Sequence, residues 1–259
     1  MKIKFLSAIA LGLAAWLPLQ AQAMPMSVDL ELVLAVDVSG SVDSNEYAGQ
    51  KNGYINAFNS TAVQNAIMGG DLGKIAVTYV EWSGFSQQEQ LVDWSVIDSA
   101  ASASLFASAI DNTNRAFSGA TGVGSAIGYS TGLFSFNDPN NAQYVGNRKV
   151  IDISGDGTKN SGVDPATARN NALAAGVDTI NAIAIESRPL EDYFRDNVIG
   201  GDGAFALFAE DFDDSFRSAI ENKLEIEISG GTPVSEPAIF GLLGLGVFSL
   251  VAARRRKAD

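Results

Sequence analysis

The chain has 259 residues, with 30 acidic and 17 basic side chains, no histidine and no cysteine. Without Cys there is no disulfide scaffold, thiol catalysis or thiolate metal site, and without His the usual general base and the commonest zinc ligand are missing. A hydrophobic fraction of 46% supports a real core, and a net charge of −13 argues against a nucleic-acid binder.

The charge is uneven. Lys2 and Lys4 open the chain, and Arg254, Arg255, Arg256 and Lys257 nearly close it. With these six bases, Glu236 and Asp259 set aside, the interior holds 11 basic against 28 acidic side chains, a balance of −17. Such a surface suits an extracytoplasmic protein and attracts divalent cations.

Residues 1–23 read as a secretory signal peptide. A positive start precedes an apolar run from Phe5 to Leu17, then Pro18, then Ala21-Gln22-Ala23, with cleavage expected after Ala23. The apolar run is shorter than the ~20 residues a membrane span needs.

Residues 27–230 alternate strand and helix signals and form the expected domain. Leu30 to Val36 is an apolar, β-rich run. Asp43-x-x-Glu46 then opens a helix as a capping box, with Tyr47, Tyr54, Ile55 and Phe58 at helix-face spacing. Ile75 to Val80 is a second strand and Gln90 to Trp94 a third beside it. Ala100 to Ile110 and Gly122 to Phe134 read as helices, and Lys149 to Ile153 as a short buried strand. Pro165 to Ala175 is a helix with Pro in its first turn and Gly176 as its stop. Strands at Thr179–Ile185 and Ala204–Phe208 and a helix at Phe212–Leu224 complete the pattern. Strands separated by helices imply an α/β fold, a doubly wound, mostly parallel sheet with helices on both faces.

Residues 231–237 are a linker and a short Ser235-Glu236-Pro237 motif. Residues 238–259 follow as an apolar stretch, Ala238 to Ala253, with Arg254 to Lys257 directly after it. The basic cluster can snorkel and lengthen the span, and the positive-inside rule places it in the cytoplasm with the rest of the chain outside. A C-terminal transmembrane helix is therefore expected.

One constellation carries chemistry. The first strand ends in Asp37-Val38-Ser39-Gly40-Ser41, so three oxygen side chains at alternate positions leave a strand's carboxyl end, where open α/β sheets bind ligands. Thr121 follows in a glycine-bearing loop that opens a helix, and Asp156-Gly157 closes the strand through Ile153. Asp37, Ser39, Ser41, Thr121 and Asp156 are hard oxygen donors suited to Mg²⁺, Mn²⁺ or Ca²⁺. The bland alternative makes the serines polar turn residues and Asp37 a helix cap.

This ordered set resembles the metal-ion-dependent adhesion site (MIDAS) of the von Willebrand factor A domain: Asp-x-Ser-x-Ser, a distant Thr and a distant Asp-Gly. A closer similarity is to a bacterial von Willebrand A-like family with no settled activity, in which Glu81-Trp82-Ser83 and Ser154-Gly155-Asp156-Gly157 recur. The resemblance implies a Rossmann-like sheet. It implies a metal touched by the two serines and Thr121, directly or through water, with Asp37 and Asp156 balancing its charge. One metal position stays open for an acidic group from a partner.

Ser235-Glu236-Pro237, the apolar span and the basic cluster together resemble the PEP-CTERM sorting tail of Gram-negative bacteria, with Ser235 where family members usually carry Pro. That resemblance implies recognition by an exosortase-type protease and delivery to the cell surface or an extracellular matrix.

Other features weigh less. Asp152-x-Ser154-x-Asp156-Gly157 imitates an EF-hand start, but position 12 is Val163 and Asp152 falls in a strand. Glu210, Asp211, Asp213 and Asp214 offer a Ca²⁺ site but read more naturally as a solvated helix N-terminus. Trp82 and Trp94 offer a sugar platform but read more naturally as packing residues. Asn160 suits either a water-orienting role beside the metal or a local Asx turn. The expected function is an exported adhesion-type binding module, not an enzyme, taking a protein or polysaccharide ligand. The alternatives are a metal-dependent hydrolase or phosphoryl-transfer enzyme, disfavoured by the lack of a Walker loop, His or Cys, and a structural matrix protein.

Overall fold

The computed structural model describes residues 24–134 and 143–231. The expected signal peptide, Ala21 and Ala23 with it, and the Ser235-Glu236-Pro237 motif and apolar tail lie outside these residues. Among the described residues no helix is long and apolar enough to cross a membrane.

The elements run β1 (Met26–Asp37), α1 (Ser44–Asn59), α2 (Thr61–Met68), β2 (Ile75–Trp82), β3 (Gln88–Ile97), α3 (Ala100–Asp111), α4 (Val123–Gly132), β4 (Tyr144–Gly155), α5 (Pro165–Ala175), β5 (Thr179–Ile185), α6 (Arg188–Asn197), β6 (Gly200–Gly201), β7 (Ala206–Ala209) and α7 (Asp214–Ser229). The sheet has the order β3-β2-β1-β4-β5-β6, with β7 also pairing β5. The β1–β2, β1–β4, β4–β5 and β5–β7 pairs are parallel, while β3 and β6 run antiparallel to their neighbours. The expected doubly wound, mostly parallel sheet is therefore present.

Side-chain parity in β1 shows why it reads as an unbroken apolar run. Leu30, Leu32, Leu34 and Val36 join the core beneath α1, α3 and α7, whereas Val33 and Ala35 join the core beneath α4, α5 and α6. A central strand buried on both faces has no polar face to alternate with.

Several local signals act as read. Asp43 Oδ1 accepts from the backbone N–H groups of Asn45 and Glu46, at 2.6 and 3.0 Å, and Glu46 Oε2 accepts from Asp43 N–H: a complete capping box. Gly176 ends α5 at φ 110°, in the left-handed region that favours glycine. Gly53 in α1 has a further reason: a Cβ there would lie 2.6 Å from the Phe216 ring, so its absence lets α1 and α7 approach.

The structure also departs from the sequence reading. α2, α6 and the two-residue β6 were not expected. β4 begins five residues before Lys149, and α7 starts at Asp214 and extends past Leu224 to Ser229. α2 is a single short amphipathic piece directly after α1, whose boundary is Ser60: its hydroxyl caps α2 by accepting from Val63 N–H.

Candidate metal site at the carboxyl edge of the sheet

The strand order places β1 between β2 and β4, so the chain leaves β1 on one side and returns on the other. The crevice at such a topological switch point lies outside the strands' carboxyl ends. Asp37 is the last residue of β1, and Asp156 follows the last residue of β4. Thr121 comes from the loop just before α4.

These loops bring all five expected side chains together. Asp37 Oδ1 accepts from Ser39 N–H at 2.8 Å. The Ser39 and Ser41 hydroxyls are 3.2 Å apart, Thr121 Oγ1 lies 3.5 Å from Ser39 Oγ, and Ser41 Oγ donates to Asp156 Oδ1 at 2.8 Å. Asp37, Ser39 and Thr121 are buried, Asp156 is half-buried and Ser41 is exposed, so the cluster opens to solvent on one side. Asp37 does not cap the next helix, since Asp43 holds that role.

The electrostatics of the cluster are unbalanced. Asp37 is fully buried, and its Oδ2 has no hydrogen-bond partner among the described residues. Burial, and then the charge of Asp156, push the Asp37 carboxyl up to about 8, against a partial offset from its Ser39 hydrogen bonds. Asp156 is also raised, chiefly by burial. A divalent cation held by this donor set would supply the missing charge, so the residues fit one. The set has two carboxylates and three hydroxyls; among the described residues, no three carboxylates gather as a metal-binding group.

The residues that hold the loops were not identified as such in the sequence. Glu81, fully buried, accepts from Tyr47 O–H at 2.9 Å and from Ala116 N–H at 2.8 Å. Ser83 donates its hydroxyl to Ala120 O at 2.9 Å and accepts from Gly119 N–H at 2.8 Å, while its carbonyl accepts from Gly122 N–H. The Glu81-Trp82-Ser83 triplet thus fixes the segment that carries Thr121; Trp82 itself is buried core. Arg115 Nη2 donates to the carbonyls of Val38, Ser39 and Val42, at 2.8–2.9 Å, and shapes the first loop. Beneath it, Gln50 Nε2 donates to Asp37 O, and Gln50 Oε1 accepts from Ser154 O–H. Asn160 does not close a local Asx turn: its Oδ1 accepts from Thr121 N–H at 2.8 Å, tying the third loop to the second. A long-range backbone partner leaves no mark in the local sequence.

The remaining candidates have structural roles. Asp152 and Ile153 lie within β4, which excludes an EF-hand loop. Asp211 Oδ1 accepts from the Asp213 and Ser215 N–H groups at the start of α7. Trp94 is half-buried against Phe134 and Tyr144, its indole N–H donating to Leu133 O.

The fold and these residues can be set beside known proteins. Residues 27–232 match the model of a protein family described as a protein of unknown function, DUF1194. The chain belongs to this family. Residues 233–257 match the PEP-CTERM protein-sorting motif, which implies export, membrane anchoring for sorting and recognition by exosortase-type machinery. No curated protein matches the chain. Among solved structures, it is similar to proximal thread matrix protein 1 from the mussel byssus, at 17% identity and a TM-score of 0.57 over 79% of this chain and 47% of that one. A form of the mussel protein with a zinc-occupied MIDAS motif aligns at 18% identity and 0.55, over 80% and 49%. The pilus adhesin SpaC from Lactobacillus rhamnosus GG aligns at 15% and 0.57, over 82% and 31%. The DUF1194 chain thus has the von Willebrand A-like α/β fold and spans about half or less of these larger proteins.

Proposed function

We propose that this protein is an exported adhesion-type module that holds one divalent cation, Mg²⁺ or alternatively Mn²⁺ or Ca²⁺, between Asp37, Ser39, Ser41, Thr121 and Asp156. The cation leaves a position for an acidic group of a protein or polysaccharide at the cell surface. The observation that carries the reading is Asp37: a buried carboxylate with an unpartnered oxygen, a second carboxylate nearby and no cation paired with it among the described residues. The structural neighbours include a pilus adhesin and a byssus matrix protein, the latter also seen with a zinc-occupied MIDAS motif, and these point the same way.

An enzymatic role has less support. Lys51, a basic group near these loops, spends its ammonium on the Asp111 and Thr113 carbonyls, and Arg115 spends Nη2 on three others. Neither is free as a proton carrier, and an adhesive role needs none.

In this reading the signal peptide is removed after Ala23. The span at Ala238–Ala253 then holds the domain outside the inner membrane until a sorting protease acts near Ser235-Glu236-Pro237. Intact-mass analysis of the extracellular fraction tests that life history: a product retaining Arg254–Lys257 rules out processing.

Calorimetric titration of the purified protein with Mg²⁺ and Mn²⁺ tests the site. One-site binding that disappears in Asp37→Ala, with the far-UV spectrum retained, is expected; unchanged affinity in that variant sinks the assignment. Mass spectrometry of proteins and glycans captured with and without chelator then identifies the ligand.

A further inference from the structure

Away from the metal site, the buried Lys223 ammonium pairs with both Asp152 and Glu227. Beside the metal site, α4 and α5 leave an apolar groove of about 600 Å³ between them. Its metal-side end is formed by Phe85, in the loop after β2, and Val163, in the loop after β4; Ala168 and Ala172, both buried, form its floor. Phe85 is 63% exposed and Val163 39%, so two apolar side chains stand in water at its mouth. Among the described residues that line it, none is charged.

Two glycines of α4 face the groove, for different reasons. Gly124 is required by packing: a Cβ there would lie 2.3 Å from the Val163 carbonyl oxygen. Gly128 is not: a Cβ there would meet nothing within 4 Å, and the position is exposed. Glycine inside a helix is destabilising relative to alanine. The packing of the fold gives no reason for that cost at Gly128, whereas keeping the groove open does.

The groove is continuous with the metal site. Ser83 O accepts from Gly122 N–H, which sets Phe85, two residues on, beside the start of α4. Thr121 O accepts from the Asn160 and Ser161 N–H groups, and Ser125 Oγ accepts from Val163 N–H at 3.3 Å. The contacts that hold Thr121 therefore also hold the two apolar residues at the mouth. Ser125 and Gly128 follow Thr121 by four and seven residues. At about 1.5 Å of helix rise per residue, the groove runs from about 6 Å to about 10 Å beyond Thr121.

Resting on the metal reading above, we propose that the ligand is an extended protein segment: an acidic side chain completes the cation's coordination, and an aromatic or branched aliphatic side chain two or three residues away enters this groove. Two or three residues of extended chain span about 7–10 Å, which matches the offset of the groove. An apolar side chain gains by leaving water for such a floor. A sugar chain laid there would lose hydrogen bonds to water that methyl groups cannot replace.

A random peptide library displayed on phage, panned on the immobilised full chain in Mg²⁺ and eluted with chelator, tests this. Recovered sequences should share an Asp or Glu with an aromatic or branched aliphatic residue two or three positions away. A synthetic peptide of that pattern should bind about tenfold more tightly than the same peptide with glycine at the apolar position. Gly128→Leu puts a side chain into the groove and should weaken the peptide about tenfold with Mg²⁺ affinity unchanged, and Phe85→Ser should weaken it about threefold. Tetragalacturonate, an acidic sugar chain, should bind more weakly than the peptide and equally to parent and Gly128→Leu. Absence of Mg²⁺ binding to the parent in calorimetry would sink the metal reading, and this inference with it. With Mg²⁺ bound normally, four results would each overturn this inference alone: no chelator-released peptide, acidic peptides without the apolar companion, peptide affinity unchanged in both variants, or tetragalacturonate held more tightly than the peptide. A dimer that Gly128→Leu dissociates in sedimentation would place a second copy in the groove and likewise overturn it.

Discussion

Two buried carboxylates near the middle of the sheet differ in one respect. Asp152, within β4, has its counterion inside the fold, Lys223 at 2.6 Å, with both side chains fully buried. Asp37, at the end of β1, is equally buried, yet the nearest features are hydroxyls, a backbone N–H and another carboxylate. Among the described residues, the carboxylate within the strand has a cation beside it and the one at the sheet edge has none. A buried carboxylate without a partner is costly enough to mark a site, because an ion taken from water needs compensation from somewhere.

The largest expected effect breaks the compensated pair. Lys223→Met strands Asp152 and Glu227 together and should cost about 3–5 kcal/mol in a denaturant titration, enough to threaten folding. The triple variant with Asp152→Asn and Glu227→Gln should recover most of that loss. A single variant as stable as the parent would show that Lys223 is not the counterion.

The next effect reverses with metal. Asp37 is raised in the folded, metal-free protein to about 8 from an ordinary 3.8, so between those values the native state holds a proton that the unfolded chain has lost. Stability linked to this group is full below about 4 and falls as pH rises toward about 8. Denaturation midpoints in chelator should therefore decline across that window, Asp37→Asn should flatten the decline, and added Mg²⁺ should oppose it in the parent only. A parent whose midpoint rises through the same window, with Asp37→Asn superimposable on it, contradicts the assignment.

Much of this was legible in the sequence, for identifiable reasons. Asp37, Ser39 and Ser41 sit where an apolar run stops, which marks the strand's carboxyl end, and the turn past Asp37 brings the two serines together there. Asp43-x-x-Glu46 and Pro165 to Gly176 carry their caps within a few residues, so the first helix starts, and the second starts and stops, where expected. The supporting contacts were not legible. Gln50 to Asp37, Asn160 to Thr121 and Ser83 to Gly119 join residues far apart in the chain, and each is a polar side chain satisfying a backbone group. α6 was missed because its apolar anchors, Leu190 and Phe194, are embedded among charges that form their own pairs, including Glu191 with Arg195.

Ser83→Ala sharpens the comparison from the metal side. It leaves Gly119 N–H and the Ala120 carbonyl without their side-chain partner and so loosens the segment carrying Thr121. A cost of about 1–3 kcal/mol is expected, with a weaker Mg²⁺ affinity by calorimetry, although the residue touches none of the five donors directly. Retained affinity would mean that Thr121 is held by α4 and Asn160 alone.

The smallest effect concerns Glu186, which leaves β5 at φ 65°, the one described non-glycine residue in the left-handed region. Its carboxyl is exposed, and it is raised by slight burial and by the charges of Glu46 and Asp156, which places it in the acidic surround of the candidate metal site. A left-handed non-glycine residue costs about 1–2 kcal/mol, and glycine gives back part of that in unfolded-state entropy, so Glu186→Gly should raise stability by about 1 kcal/mol or less. Glu186→Gln keeps the strain and removes the charge. If the residue is retained for its charge, both variants should weaken Mg²⁺ binding slightly at low salt and neither at high salt, since exposed charges act through a screened field. If it is retained for the backbone turn, Glu186→Gln should bind as the parent does while Glu186→Gly alone shifts the denaturation midpoint. The two variants thus separate a carboxylate kept for the field it adds around Asp37 from one kept because the chain must turn there as it leaves β5.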